Sequence, residues 1–113
     1  MIFAIDFDGT IVENRFPEIG DIKPEALEFI QDLQQRGDKW ILYTMREAEH
    51  LERALDYLRA LNLIPDAVND NLPEMKEFYG NNPRKVFANV YIDDHNAGGL
   101  RFERPKATQG QNK

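Results

Sequence analysis

Four apolar residues, Ile2-Phe3-Ala4-Ile5, open the chain and stop at Asp6. A short run without polar alternation is the pattern of a strand covered on both faces. It ends in Asp6-Phe7-Asp8-Gly9-Thr10, where polar residues and a glycine predict a sharp exit. Ile11 to Asp21 holds no period and contains Pro17 and Gly20, so it reads as a loop or flap. A helix is predicted from Pro24, a favoured first-turn residue, to about Arg36, with Gly37 as its stop. Leu27, Ile30 and Leu33, assisted by Ala26 and Phe29, form its buried stripe.

Trp40 to Tyr43 predicts the second strand, ending at Thr44. Leu51, Ala54, Leu55, Leu58 and Leu61 then recur at helical spacing, so Glu47 to Leu61 is an amphipathic helix whose stripe belongs to the core. Ala67-Val68-Asn69 predicts a short third strand and Pro73 to Tyr79 a short helix, closed by Gly80. Val86 to Ile92 is the next apolar strand, again ending in acids, Asp93-Asp94. Leu100 to Phe102 reads as a last edge segment, and from Arg104 the chain is polar. One α/β domain over 1–103 is expected, with a disordered tail over 104–113. The alternation predicts a three-layer, Rossmann-like parallel sheet with helices on its faces.

Ligands of such sheets bind beyond the carboxyl ends of the strands. That rule brings Asp6 and Asp8, Thr44, and Asp93 with Asp94 to one rim. Asp6 and Asp8 are two apart, so an extended backbone turns both to the same side and Phe7 away. Acids held this close repel one another unless a cation sits among them. Magnesium meets the need, because it takes oxygen ligands and shares its shell with phosphate. Phosphate in turn needs donors: Thr44 offers a hydroxyl near a helix start, and Lys85 an ammonium before the last strand. Thr44 and Glu47 also match a capping box, in which the same hydroxyl caps the helix. Lys76 and Arg84 compete with Lys85 for the cationic role. A carboxylate can attack phosphorus covalently while a second carboxyl moves the proton, and Asp6 and Asp8 suit those two roles.

Asp6-Phe7-Asp8-Gly9-Thr10 resembles the first signature of the haloacid dehalogenase-like superfamily, and Tyr43-Thr44 resembles its second. Lys85 fits the third, and Tyr91-Ile92-Asp93-Asp94 resembles the fourth; the motifs keep the family's order up to about Gly99. The resemblance implies a HAD-like core and a magnesium-dependent phosphatase working through an aspartyl-phosphate. Asp6 is then the nucleophile and Asp8 the general acid/base, with phosphate held by Thr44 and Lys85. Magnesium is held by Asp6, the backbone carbonyl of Asp8 and an acid of the last pair, Asp94 directly with Asp93 in support. Members that act on carbon–halogen bonds lack the second Asp, so Asp8 points to phosphate esters. The stretch from Thr10 to the first helix is too short for a folded cap domain. The chain thus resembles the cap-less branch, whose open site suits bulky phosphorylated substrates or a roof from a second subunit. Entrance residues are expected from Glu13 to Ile19, Asn69 to Pro73 and His95 to Gly99.

Composition narrows this further. The 113 residues carry a net charge of −6 and no cysteine, which excludes disulfides, thiol catalysis and thiolate metal sites. No basic face is available for nucleic acid. No apolar run reaches membrane-spanning length and no signal-like segment leads the chain, so a cytoplasmic protein is expected. Two other readings are a receiver-like signalling domain phosphorylated on aspartate and a non-catalytic phosphate-binding domain. In a receiver the phosphoacceptor ends the third strand, which does not match Asp6. His50 reads as a solvated helix residue and His95 as a loop residue beside the acids.

Overall fold

The computed structural model describes residues 1–80, 86–96, 100 and 102, with the side chain of Tyr79 excepted. The predicted Lys85, the Arg84 alternative and the expected tail lie outside the described residues. Strand β1 is Ile2–Ile5, β2 is Lys39–Leu42, β3 is Ala67–Val68 and β4 is Val90–Ile92. Between them come helices α1 (Pro24–Gln35), α2 (Ala48–Ala60) and α3 (Pro73–Tyr79). The strands form one parallel sheet in the order β3-β2-β1-β4. This is a small α/β, Rossmann-like fold. No helix among the described residues is long and apolar enough to cross a membrane.

Side-chain alternation along the strands divides the core. Phe3 and Ile5 of β1 and Trp40 and Leu42 of β2 are buried with Ala26, Ile30 and Leu33 of α1 and Ala54 and Leu58 of α2. The intervening Ile41 is buried with Leu72 and Val86, and Ile2, Ala67 and Met75 pack against them. An apolar run without alternation is therefore what β1 needs, because from Phe3 to Ile5 its side chains are buried on both faces.

Helix α1 ends as its sequence predicts. Gly37 takes a φ of +82°, its N–H donates to the Gln34 carbonyl (3.1 Å), and the Asp38 N–H reaches back to Leu33 (3.0 Å). These two bonds satisfy carbonyls that the last helical turn leaves open.

Three expectations change. The expected strand from Val86 shrinks to Val90–Ile92, because side chains take the backbone groups that a longer ladder would use. Asn89 accepts the Ile2 N–H on its Oδ1 (2.7 Å) and Asn71 accepts the Phe87 N–H (2.7 Å). The Tyr91 hydroxyl takes the Ala88 N–H (3.1 Å) and donates to the Val86 carbonyl. The capping box is also absent: α2 starts after Glu47, which makes no side-chain cap bond, and Thr44 lies ahead of it in the loop. Leu100 and Phe102 form no strand; they pack against the core as partly buried side chains.

The topology makes a crevice. From β1 the chain moves through β2 to β3, then returns to place β4 on the other side of β1. The strand order reverses between β1 and β4, and such a reversal point is where parallel sheets bind ligands.

Ile30 is fully buried whereas Gln31 beside it faces water. Ile30→Ala is expected to lower unfolding free energy by about 2–5 kcal/mol in urea titration, and Gln31→Ala by under about 0.5 kcal/mol.

Candidate active site

Asp6 and Asp8 leave β1 as their spacing predicts: both line the crevice, and Phe7 between them is fully buried in the core. A tight turn follows, in which the Phe7 carbonyl accepts from the N–H groups of Thr10, Ile11 and Val12 (3.1, 2.9 and 3.2 Å). Gly9 serves this turn with a φ of +86°, and it serves a second purpose. A β-carbon on Gly9 would stand 2.3 Å from Oδ2 of Asp94, so only glycine lets that carboxylate approach. Thr10, fully buried, joins the two strand ends: its hydroxyl donates to Asp6 Oδ2 (3.4 Å) and accepts the Asp94 N–H (3.1 Å).

The acids of β4 separate in role. Asp93 lines the crevice beside Asp6, whereas Asp94 lies against Gly9 with its Oδ1 buried and without a hydrogen-bond partner among the described residues. His95 is exposed, with Nε2 3.7 Å from that same oxygen. Ligand atoms of Asp93, Asp94 and His95 all lie within 4.8 Å of one another. Burial above all pushes the Asp6 carboxyl up from 3.8 to about 6; Asp93 raises it further, as do Asp94 and Asp8, against a Phe7 backbone hydrogen bond that lowers it. A carboxyl set among acids with a partnerless buried oxygen close by fits a hard divalent cation.

Thr44 lines the crevice from the end of β2. Its backbone N–H donates to Oδ1 of Asn69 (2.8 Å), which leaves β3 with a φ of +50° that asparagine tolerates. The Thr44 hydroxyl accepts the Arg46 N–H (3.1 Å), which leaves its own proton to donate into the crevice. Of the cations expected here, Lys76 is on α3 and pairs with Asp70 (2.6 Å).

Arg46 is the residue the sequence reading missed. Its side chain is 1% exposed and grips Asp8 with two bonds, Nε to Oδ2 (2.7 Å) and Nη2 to Oδ1 (2.8 Å). Nη2 also donates to the Glu18 carbonyl (3.0 Å), and Nη1 to those of His50 (3.2 Å) and Pro17 (3.4 Å). The guanidinium carbon lies 5.2 Å from the Phe7 ring centroid and 5.0 Å from that of Phe16. An arginine just ahead of a polar helix reads as a solvated residue; the clue was its place two residues after Thr44, on an acidic rim. His50, expected as a solvated residue, is only half-exposed. Its ring meets Phe16 at 5.2 Å, and its Nδ1 is buried without a hydrogen-bond partner among the described residues.

The 13–21 flap is closed at its neck by the Glu13 N–H on the Asp21 carbonyl and the Lys23 N–H on that of Ile11, both 2.9 Å. Two cavities open at the rim. One, of about 270 Å³, is lined by Asp6, Asp8, Asn14, Phe16, Thr44, Met45, Arg46, Asp93 and His95. The other, of about 240 Å³, is lined by Asp6, Tyr43, Thr44, Met45 and Asp93. A wider groove of about 630 Å³ along α1 and the end of α2 is bordered by the solvated side chains of a helix surface.

Fold and site define a Rossmann-like α/β domain with an acidic crevice at its switch point. No protein-family model matches the chain, and no curated protein does. A solved structure does: the conserved protein coded by a locus from Bacteroides thetaiotaomicron. It is 44% identical with a TM-score of 0.79, over 89% of this chain and 81% of that one. The chain belongs to the family of that conserved protein.

Removing one partner of a buried ion pair strands the other. Arg46→Met is expected to cost about 3–5 kcal/mol in urea titration, and adding Asp8→Leu to recover most of it. The raised Asp6 pKa means that the folded chain binds a proton more tightly than the unfolded one. Its contribution in chelator-treated protein is full below pH 3.8, is lost as pH rises through about 6, and is flat above. Asp6→Asn is therefore expected to stabilise chelator-treated protein at pH 8 by about 1–2 kcal/mol, discounted for residual solvent contact, and to show no gain at pH 3.5.

Proposed function

We propose that the protein is a magnesium-dependent phosphomonoesterase with a three-layer, HAD-like core, in which Asp6 is the nucleophile. The observation that carries this reading is the convergence of Asp6, Asp8, Thr44 and Asp93, from the ends of β1, β2 and β4, on one crevice at the switch point. The two core clusters and the right-handed crossover rule support the layered arrangement. Asp6, the Asp8 backbone carbonyl and the Asp93–Asp94 pair would hold magnesium, and Asp93 is the better placed of the pair because it lines both cavities with Asp6. When bound, the ion orients the phosphate and offsets charge that builds up on it during transfer.

In this reading an oxygen of Asp6 attacks phosphorus as the bond from phosphorus to the ester oxygen breaks, leaving the phosphoryl group on Asp6. Asp8 gives a proton to the departing oxygen. Water then attacks phosphorus, Asp8 takes the proton from that water, and phosphate leaves with Asp6 restored. Both oxygens of Asp8 rest on Arg46, so Asp8 turns to the leaving group by giving up one of those bonds. Thr44 donates its hydroxyl to a phosphate oxygen, and Lys85 is the proposed ammonium partner. The open rim leaves room for a small molecule or a phosphorylated macromolecule, or for a second subunit as roof.

Purified protein is expected to release phosphate from an aryl phosphate only with magnesium, and Asp6→Asn to lower kcat by at least about a thousandfold. Magnesium is also expected to raise the melting temperature at pH 7.5 and to lose that effect toward pH 5, where protons compete for Asp6. Unimpaired turnover by Asp6→Asn would falsify the assignment. A stable phosphoaspartate with no phosphate release would favour the receiver-like reading instead.

A further inference from the structure

The residues around the reacting acids are unusually apolar for an exposed rim. Met45 is 96% exposed and lines both cavities, next to Thr44. Phe16 walls the larger cavity at 53% exposure and Tyr43 the smaller at 43%. Single exposed apolar side chains need no explanation. These three, however, share their cavities with Asp6 and Thr44, and the two rings are held from behind. Phe16 rests on the Arg46 guanidinium and against His50, and Tyr43 meets Tyr91 with ring centroids 6.3 Å apart. Fixed rings lose little freedom on binding, while the unbranched thioether of Met45 adapts its shape and favours aromatic contacts.

Among the described residues, polar chemistry is scarce at the same mouth. Beyond the acids and Thr44, the larger cavity offers Asn14, whose Oδ1 accepts the Phe16 N–H (3.3 Å), and His95. Among the described residues the cation lining it is Arg46, already taken by Asp8. A sugar would find few hydrogen-bond partners here, and a second anionic group on the substrate would face Asp6, Asp8 and Asp93.

We propose that this mouth binds the organic group of the substrate, and that the group is an uncharged aromatic ring held between Met45 and the ring of Phe16 or Tyr43. The inference rests on the phosphomonoesterase reading and names the substrate class of that site: phosphate monoesters carrying an aromatic ring.

The test compares benzyl phosphate with ethyl phosphate, whose leaving groups are both primary alcohols and so differ mainly in the ring. In wild-type protein with magnesium, the benzyl ester is expected to have at least about a tenfold higher kcat/KM. Met45→Ala is expected to lower the benzyl-to-ethyl ratio about three- to tenfold. Calorimetric binding of benzylphosphonate and ethylphosphonate gives a second readout that needs no turnover. If neither ester is hydrolysed but benzylphosphonate binds more tightly and Met45→Ala weakens it, the phosphatase reading fails and the aromatic mouth stands. If both esters are hydrolysed with a ratio near one, or with a ratio that Met45→Ala and Tyr43→Ala leave unchanged, the mouth proposal fails alone. A wild-type dimer that Met45→Ala dissociates, with that ratio unchanged, would make the patch a contact between copies and overturn the proposal. Absence of both turnover and phosphonate binding overturns both.

Discussion

The guanidinium of Arg46 meets Asp8 on one side and the carbonyls of Pro17, Glu18 and His50 on others. A buried cation can only be kept where its donors are satisfied and its charge is opposed. That requirement joins three segments: the turn after β1, the flap over 13–21, and the first turn of α2. The position of Asp8, the closure of the flap over one side of the crevice and the seat of the Phe16 ring all follow from this one side chain. Its removal would leave a carboxylate half-buried among other carboxylates, which is why the rim depends on it more than on any hydroxyl or amide nearby.

Sheet topology sets the rest. Parallel strands deliver their carboxyl ends to the same edge, and the strand order reverses there between β1 and β4. Acids placed at those ends have room for a ligand between them, at the cost of mutual repulsion. Burial first, and that repulsion after it, raise the Asp6 carboxyl to about 6. A proton and a divalent cation are alternative ways to quiet the same group, so the feature that strains the cation-free rim is also the one that would select for metal. Gly9 and Thr10 set how close the ends come: the first by having no side chain where Asp94 enters, the second by bonding to Asp6 and to the Asp94 backbone.

Much of this was legible before any coordinates. Helix α1 with its Pro24 start and Gly37 stop, the Leu51–Leu61 stripe, and the two-residue alternation of Asp6 and Asp8 are local patterns, dictated by backbone period and by which side must be dry. Features that depend on a distant neighbour came out differently. Val86 to Ile92 is apolar enough for a strand along its whole length, but Asn71, Asn89 and Tyr91 take the backbone groups that a longer ladder would need. Thr44 and Glu47 have capping-box spacing, yet the helix starts later and the Thr44 hydroxyl bonds to Arg46 instead. His50 has the surroundings of a solvated residue in sequence and the underside of Phe16 in space.

The sequence by itself determined an α/β chain of apolar strands ending in acids, and with it the rim at which Asp6, Asp8, Thr44, Asp93 and Asp94 meet. Periodicity and parallel-sheet topology suffice for that, because both are properties of the backbone. Only the tertiary structure decided that Arg46 is buried on Asp8, that Asp93 faces the crevice while Asp94 sits against Gly9, and that Phe16, Tyr43 and Met45 frame its mouth. Those outcomes depend on which side chains far apart in the chain exclude water from one another, and no local pattern records that.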